Sequence, residues 1–189
     1  MSNTTKRAMA ESLKKLLAKK SLDKVTVGDI VEDCGVNRQT FYYHFHDIFD
    51  LVEWIFDEEA GQIVGEVVTK DDWREQFLQI FNYLPDNAQL VLNVFHSKGW
   101  EYISSYIQAR MRPPLEYLAR QIAEGMDVSE DDFKFVVDVY LSMVEGLFNT
   151  CLGNDMKDEY IWDVNRFLEL LDGSIEHALG KFDRRGRPG

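Results

Sequence analysis

The chain has 189 residues, a formal net charge of −12, and 45% hydrophobic and 13% aromatic residues. That is ample apolar material for one compact unit or two small ones sharing a core, which excludes a disordered chain. No apolar run approaches the ~18 residues of a membrane span and the charged N-terminus lacks a signal-peptide core, so a cytoplasmic protein with no membrane partner is expected.

The first helix is predicted from about Thr5 to Lys19, with Ala8, Leu13, Leu16 and Leu17 as its apolar stripe. Lys14, Lys15, Lys19 and Lys20 crowd its outer side and end, where cations also suit the negative end of the helix dipole. Charge is divided unevenly. Residues 1–46 hold eight Lys/Arg against five Asp/Glu, a net of +3, which leaves −15 for the remainder. A basic head on an acidic body can orient itself on a polyanion, although a solvated surface accounts for the acidic body equally well. Ser21–Val25 is a connector that tucks Leu22 and Val25 under the next segment.

Thr26–Phe45 reads as two short helices meeting at a tight turn. Thr26 with Asp29 three residues on is an acidic variant of the capping box. Ile30, Val31 and Cys34 follow the spacing of a buried stripe. Gly35 stands where a helix end takes a left-handed residue, which glycine adopts without a Cβ clash. Val36 plugs the angle, and Asn37 caps a second helix running from Arg38 to Phe45. This is the sequence form of a helix-turn-helix. Phe41 and Phe45 turn inward, leaving Arg38, Gln39, Thr40, Tyr42, Tyr43 and His44 outside with almost no acid. Arginine and glutamine read guanine and adenine edges with bidentate geometry, and Thr and Tyr hydroxyls suit phosphate oxygens. Base reading is therefore expected of Arg38, Gln39 and Tyr43, and phosphate contact of Thr40, Tyr42 and His44. The competing reading is a solvated aromatic helix that binds nothing.

The run T-V-x-D-I-V-x-x-C-G-V-x-x-x-T-F-Y-Y-H-F, followed by x-D-x-x-x-L, resembles the DNA-binding signature of the TetR family of bacterial regulators. The matching residues run from Thr26 to Leu51. The resemblance implies an all-α fold and a homodimer on a palindromic double-stranded operator. It adds Thr26 and Val27 to the DNA-binding set, and it implies an effector cavity between the helices of the body. One position departs: Ile48 stands where the family usually carries a phosphate-touching lysine. The run HF-x-DIFDLVEWIF is similar to a subgroup of dihydroxyacetone kinase regulators, in which the effector role falls to a protein partner.

Asp47 opens a fourth helix predicted as far as Val68, with Phe49, Val52, Phe56 and Ala60 on one side and Ile48, Leu51 and Ile55 on another. Apolar on more than one side, it is gripped from both and reads as the lever between head and body. From Trp73 onward the pattern is helical throughout. One helix stops at Pro85, another closes near Gly99, and a third is interrupted at Pro113–Pro114, where a fresh helix begins. A long helix over Ser129–Leu152 and a last one over Glu159–Lys181 complete the body, ahead of a frayed basic tail. The divisions are 1–46 for the helix-turn-helix head, 47–68 for the connecting helix, 69–183 for the ligand-binding and dimerisation domain, and 184–189 for the tail.

No catalytic constellation, metal set or cofactor motif is present. The four histidines are scattered, and His44 and His46 point apart on a helix. Cys34 and Cys151 lie far apart in apolar surroundings and read as buried thiols. The body's aromatic surplus places Trp73, Phe77, Phe95, His96, Trp100, Tyr106, Tyr140 and Met143 as candidate ligand contacts, with core packing as the competing role for each. Tyr140, Val144 and Phe148 on the long helix, with Val164, Leu168, Leu171 and Ile175 on the last, form stripes expected to pair with a second copy as a four-helix bundle. The expected function is a sequence-specific transcriptional regulator, repression ahead of activation, tuned by a small molecule or a protein co-regulator. The alternative is a helical interaction or ligand-binding module that no longer binds DNA.

Overall fold

The computed structural model describes residues 2–63 and 69–186, and its regular elements are all helical. They are α1 (Ser2–Leu17), α2 (Val27–Cys34), α3 (Arg38–His44), α4 (Ile48–Ile63), α5 (Trp73–Asp86), α6 (Ala88–Phe95), α7 (Trp100–Ile122), α8 (Glu130–Gly153), α9 (Asp158–Leu171) and α10 (Ser174–Gly180). Single 3-10 turns occupy Leu22–Lys24 and Arg184–Gly186. The fold is all-α, with a helix-turn-helix near the N-terminus. Contacts divide it into two compact units: Met1–Gln62 with Asp86–Tyr106, and Ile63–Pro85 with Ile107–Gly189. The second passage of chain through the first unit, residues 86–106, has no counterpart in the divisions expected from the sequence.

In the first unit α1 packs on α2 and α6, and α2 on α3. The stripe of α1 is Met9, Ala10, Leu13 and Leu17, while Ala8 is exposed and Leu16 half-buried, a rotation of the expected face toward α2 and α6. The Ser12 hydroxyl, buried on that face, donates to the Ile30 carbonyl at 3.1 Å. Leu51, Val52 and Ile55 of α4 are buried, as the two-sided pattern requires. The segment 86–106 is tied in by polar contacts: Gln89 donates to the Leu17 carbonyl at 3.2 Å and the Lys98 N–H to Asp23 at 3.1 Å. Gly99 lies against Phe49, so that a Cβ there would collide with the ring. The expected end of the fourth helix, 64–68, lies outside the described residues.

The second unit is built on Leu118, Ala119, Phe133, Val136, Val137 and Tyr140, joined by Leu141, Leu171, Ile175 and Leu179. α5 stops at Asp86, one residue past Pro85, as the proline leads one to expect. Three expectations are corrected here. α7 runs unbroken through Pro113 and Pro114, with the Arg112–Glu116 pair bridging the step at 3.4 Å. The last helix is two, because Gly173 adopts φ 67° between α9 and α10 and the Ser174 hydroxyl takes the Leu171 carbonyl at 2.8 Å. The tail over 184–186 is not frayed: the Arg184 N–H donates to the Asp127 carbonyl at 3.1 Å, and the Arg185 guanidinium reaches the Gly125 carbonyl.

A fourth correction concerns the expected dimer stripes. Tyr140, Val144, Val164, Leu168, Leu171 and Ile175 are all buried within their own chain, and Phe148 stacks on Phe81 at 4.6 Å. They pack on helices of the same unit. The apolar side chains that α8 leaves exposed are Phe135, Val139 and Met143, and on α9 Leu170 is 72% exposed. By length and composition α8 could cross a bilayer, more apolar than the sequence reading allowed. Its buried side belongs to the unit's core and its other side carries Lys134, Asp138 and Ser142.

Candidate nucleic-acid interface and effector cavity

The helix-turn-helix is set by two caps and one glycine. The Thr26 hydroxyl accepts from the Asp29 N–H at 3.2 Å, and the Asp29 carboxylate accepts from the Thr26 N–H at 2.7 Å and its hydroxyl at 2.6 Å. The Lys20 ammonium stands 2.7 Å from the same carboxylate and, with the Thr26 bonds, holds it well below the usual carboxylate range. Gly35, at φ 71°, ends α2 with its N–H on the Val31 carbonyl, where Val36 also donates at 3.0 Å. Asn37 starts α3 by accepting from the Thr40 N–H at 2.7 Å. Phe41 and Phe45 are buried with rings 5.7 Å apart, which fixes the rotation of α3 and turns its opposite face to solvent.

On that face Arg38, Gln39, Tyr42 and Tyr43 are exposed, Tyr43 at 83%. The Arg38 guanidinium folds back against Gly28, whose missing side chain leaves it room. His44 is half-buried, its ring edge-on to Tyr43 at 4.9 Å. The remaining expected DNA contacts are engaged within the fold. The Thr40 hydroxyl donates to Asn37 at 2.9 Å and the Thr26 hydroxyl to Asp29, so neither has a hydrogen to offer a phosphate in this arrangement. Val27 is half-buried at the first position of α2, whose leading N–H groups have no intrahelical acceptor. Ile48, half-buried, is the first residue of α4.

The head's cations are largely spoken for. Arg7 pairs with Glu58 at 3.0 Å, Lys14 with Glu59, Lys15 with Asp33 at 2.5 Å and Lys20 with Asp29. Lys6 lies over the rings of Phe45 and Trp54, at 5.2 and 5.6 Å. Composition counted these residues as a basic patch. Their carboxylate partners come from α2 and α4, and a count over residues 1–46 leaves out Glu58 and Glu59. Cys34 is half-buried and Cys151 buried, both free thiols pushed up in pKa by burial.

The second unit holds a partly open cavity of about 300 Å³. Its wall is mainly apolar: Trp73, Phe77 and Ile80 from α5, Met111, Leu115 and Leu118 from α7, Tyr140 and Val144 from α8. Lys70, Gln76, Asp172 and Glu176 supply the polar part. Of the expected ligand contacts, Trp73, Phe77 and Tyr140 meet here. Phe95, His96, Trp100 and Tyr106 do not, because they belong to the first unit, where the Phe95 ring meets those of His96 and Trp100 edge-on at 5.0 Å each. Met143 is exposed on α8. The wall was legible as stripes, Trp73–Phe77–Ile80 and Met111–Leu115–Leu118–Ile122, each at helical spacing. Selecting aromatics by their polar tips missed the aliphatic half. Among the described residues, no group of three or more His, Cys, Asp or Glu could hold a metal ion.

Comparison with known proteins agrees with this anatomy. The model of bacterial regulatory proteins of the tetR family matches residues 11–54, and a transcriptional regulator C-terminal region matches residues 71–173. The chain is 25% identical over 91 residues to the HTH-type dhaKLM operon transcriptional activator DhaS of Lactococcus lactis subsp. lactis, covering 48% of this chain and 49% of that one. It is 27% identical over 105 residues to the HTH-type transcriptional regulator TtgR of Pseudomonas putida, covering 50% of each. The chain thus spans about half the length of the curated relatives it matches. Among solved structures, the dihydroxyacetone kinase operon activator DhaS superposes with a TM-score of 0.68 at 16% identity, over 95% of this chain and 98% of that one. A TetR transcriptional regulator from Rhodococcus sp. RHA1 gives 0.58 at 15% identity, over 87% and 94%. These two likenesses are of fold. With one regulator module on the helix-turn-helix and another over most of the remaining helices, the chain belongs to the TetR family of bacterial transcriptional regulators.

Proposed function

We propose that this protein is a cytoplasmic, sequence-specific DNA-binding regulator that grips a palindromic duplex as a homodimer. The observation that carries the reading is the exposed face of α3, where Arg38, Gln39, Tyr42 and Tyr43 stand out from a helix capped by Asn37 and anchored by Phe41 and Phe45. One such helix enters one major groove, and tight operator binding takes two at half-sites ~34 Å apart or a multiple of that. The exposed row Phe135, Val139 and Met143 on α8, at i, i+4 and i+8, offers a self-complementary surface for the second copy. The second unit's cavity supports tuning by a small, mostly apolar molecule with one polar end, in preference to a protein co-regulator.

Repression is the simpler output, since an occupied operator excludes other proteins without further contacts. Likeness to DhaS, whose name describes an activator, supports activation as the second reading. Selection of duplexes from a random-sequence pool by the full chain tests the DNA reading. Enrichment of a two-fold symmetric sequence is expected. Failure to enrich any sequence favours the alternative, a helical module that no longer binds DNA. Placing the selected duplex before a reporter gene then reads the sign of regulation.

A further inference from the structure

We propose that the Pro113–Pro114 step in α7 is the point at which the contents of the cavity act on DNA affinity, an inference that rests on the effector reading above. Neither proline has an N–H, so two consecutive rungs of the helical ladder cannot form, and each ring crowds the preceding turn. α7 is nonetheless continuous from Trp100 to Ile122. The weakened backbone is itself part of the cavity wall: Pro114 lines it between Met111 and Leu115, while Pro113 is exposed.

Side-chain ties hold α7 to α8 on both sides of the step. Before it, Gln108 meets Glu145 at 3.2 Å and Arg112 meets Asp138 at 2.6 Å. Beyond it, Arg120 meets Glu130 at 2.6 Å, and Leu118 and Ala119 are buried in the apolar cluster. The half-buried Arg112–Glu116 pair spans the prolines within the helix at 3.4 Å, and an i, i+4 pair open to solvent is a weak brace. The same helix serves both compact units. Its residues 100–106 belong with the helix-turn-helix, where the Tyr106 hydroxyl meets the Glu53 carbonyl of α4 at 3.5 Å. A ligand pressing on Pro114 therefore acts on the least supported turn of a helix that also belongs to the DNA-binding unit.

The test is a mutant cycle on the full chain, with the selected duplex as probe and no ligand required. Ile80→Trp and, separately, Val144→Phe fill the cavity from α5 and α8, mimicking an occupant. Pro113→Ala with Pro114→Ala restores both ladder bonds. Each filler is expected to change the duplex Kd by about tenfold in the parent and by less than about twofold in the Ala-Ala background. An equal change in both backgrounds overturns the role of the prolines and leaves the effector reading standing. No change from either filler in the parent removes the effector reading, and this proposal with it. Circular dichroism identifies a filler that fails to fold, and the other then decides.

Discussion

Lys20 places its ammonium 2.7 Å from the Asp29 carboxylate, the group that closes the cap of α2. One acid therefore serves the connector before the helix-turn-helix and the first turn of the motif itself. Because its folded pKa is lowered, first by Lys20 and then by Thr26, its contribution is complete above the ordinary carboxylate pKa. It is lost as pH falls below that range toward the depressed value. Asp29→Asn should lower the melting temperature at pH 7, and the gap from the parent should shrink as pH drops below ~4. Thermal unfolding of both proteins from pH 7 to pH 2.5 checks this. A gap that stays constant over the range rules out the linkage.

The division of labour on α3 is open to a direct reading. Arg38 and Gln39 are exposed, and Arg38 must leave Gly28 to reach a base. Arg38→Ala or Gln39→Ala should weaken duplex binding by about 1–3 kcal/mol and relax specificity at a single base pair of each half-site. Repeating the selection with each variant shows which position loses information. Unaltered sequence logos would mean that neither side chain reads a base.

The helix-turn-helix could be read from sequence almost residue by residue, because its signals are local: Thr26 and Asp29, Gly35, Asn37, then Phe41 with Phe45. What could not be read there depended on distant residues. Ser12 looks like any exposed serine until the Ile30 carbonyl is found above it. Arg7 and Lys14 count toward a basic head until Glu58 and Glu59 arrive from α4. The prolines mislead as breakers at Pro113–Pro114, where packing overrides propensity, and the helix stop lies instead at Gly173. The family likeness and the aromatic excess point to a cavity in the body, but they do not separate Phe95 and Trp100 from its wall, because nothing in the pattern shows 86–106 returning to the first unit.

Burial separates two versions of the dimer. Leu168 is wholly buried and Leu171 nearly so, so glutamate at both places two charges in the core of the second unit and should unfold it. Val139→Glu with Met143→Glu alters only exposed positions and should leave a folded monomer by sedimentation, with duplex binding much reduced. A Val139→Glu/Met143→Glu protein that remains dimeric would place the interface on another face of the chain.

Salt dependence is where the paired cations have the largest consequence. A basic head alone implies a steep slope, yet Arg7, Lys14, Lys15 and Lys20 each already hold a carboxylate. A cation that exchanges a carboxylate for a phosphate gains little, so these four contribute weakly to counterion release. Among the described ion pairs none holds Lys19, Lys24 or Arg38, and Lys6 lies over the Phe45 and Trp54 rings instead. With Arg38 assigned to a base edge, Lys19 and Lys24 leave about two phosphate contacts per head and a slope of roughly −1.8 per head in log K against log salt, well short of the value that eight cations would give. Ile48 opens α4 directly after the recognition helix, at the position of the family's phosphate-touching lysine. Ile48→Lys should therefore steepen the slope by about 0.9 per half-site. Glu58→Gln with Glu59→Gln releases Arg7 and Lys14 and should steepen it by up to ~1.8 per head, as far as those side chains reach the backbone. The parent slope, measured with the selected duplex between 50 and 200 mM salt, sets the reference. If Ile48→Lys leaves it unchanged, the side chain at this position is directed away from the phosphates, and the loss of the family's lysine has no bearing on affinity.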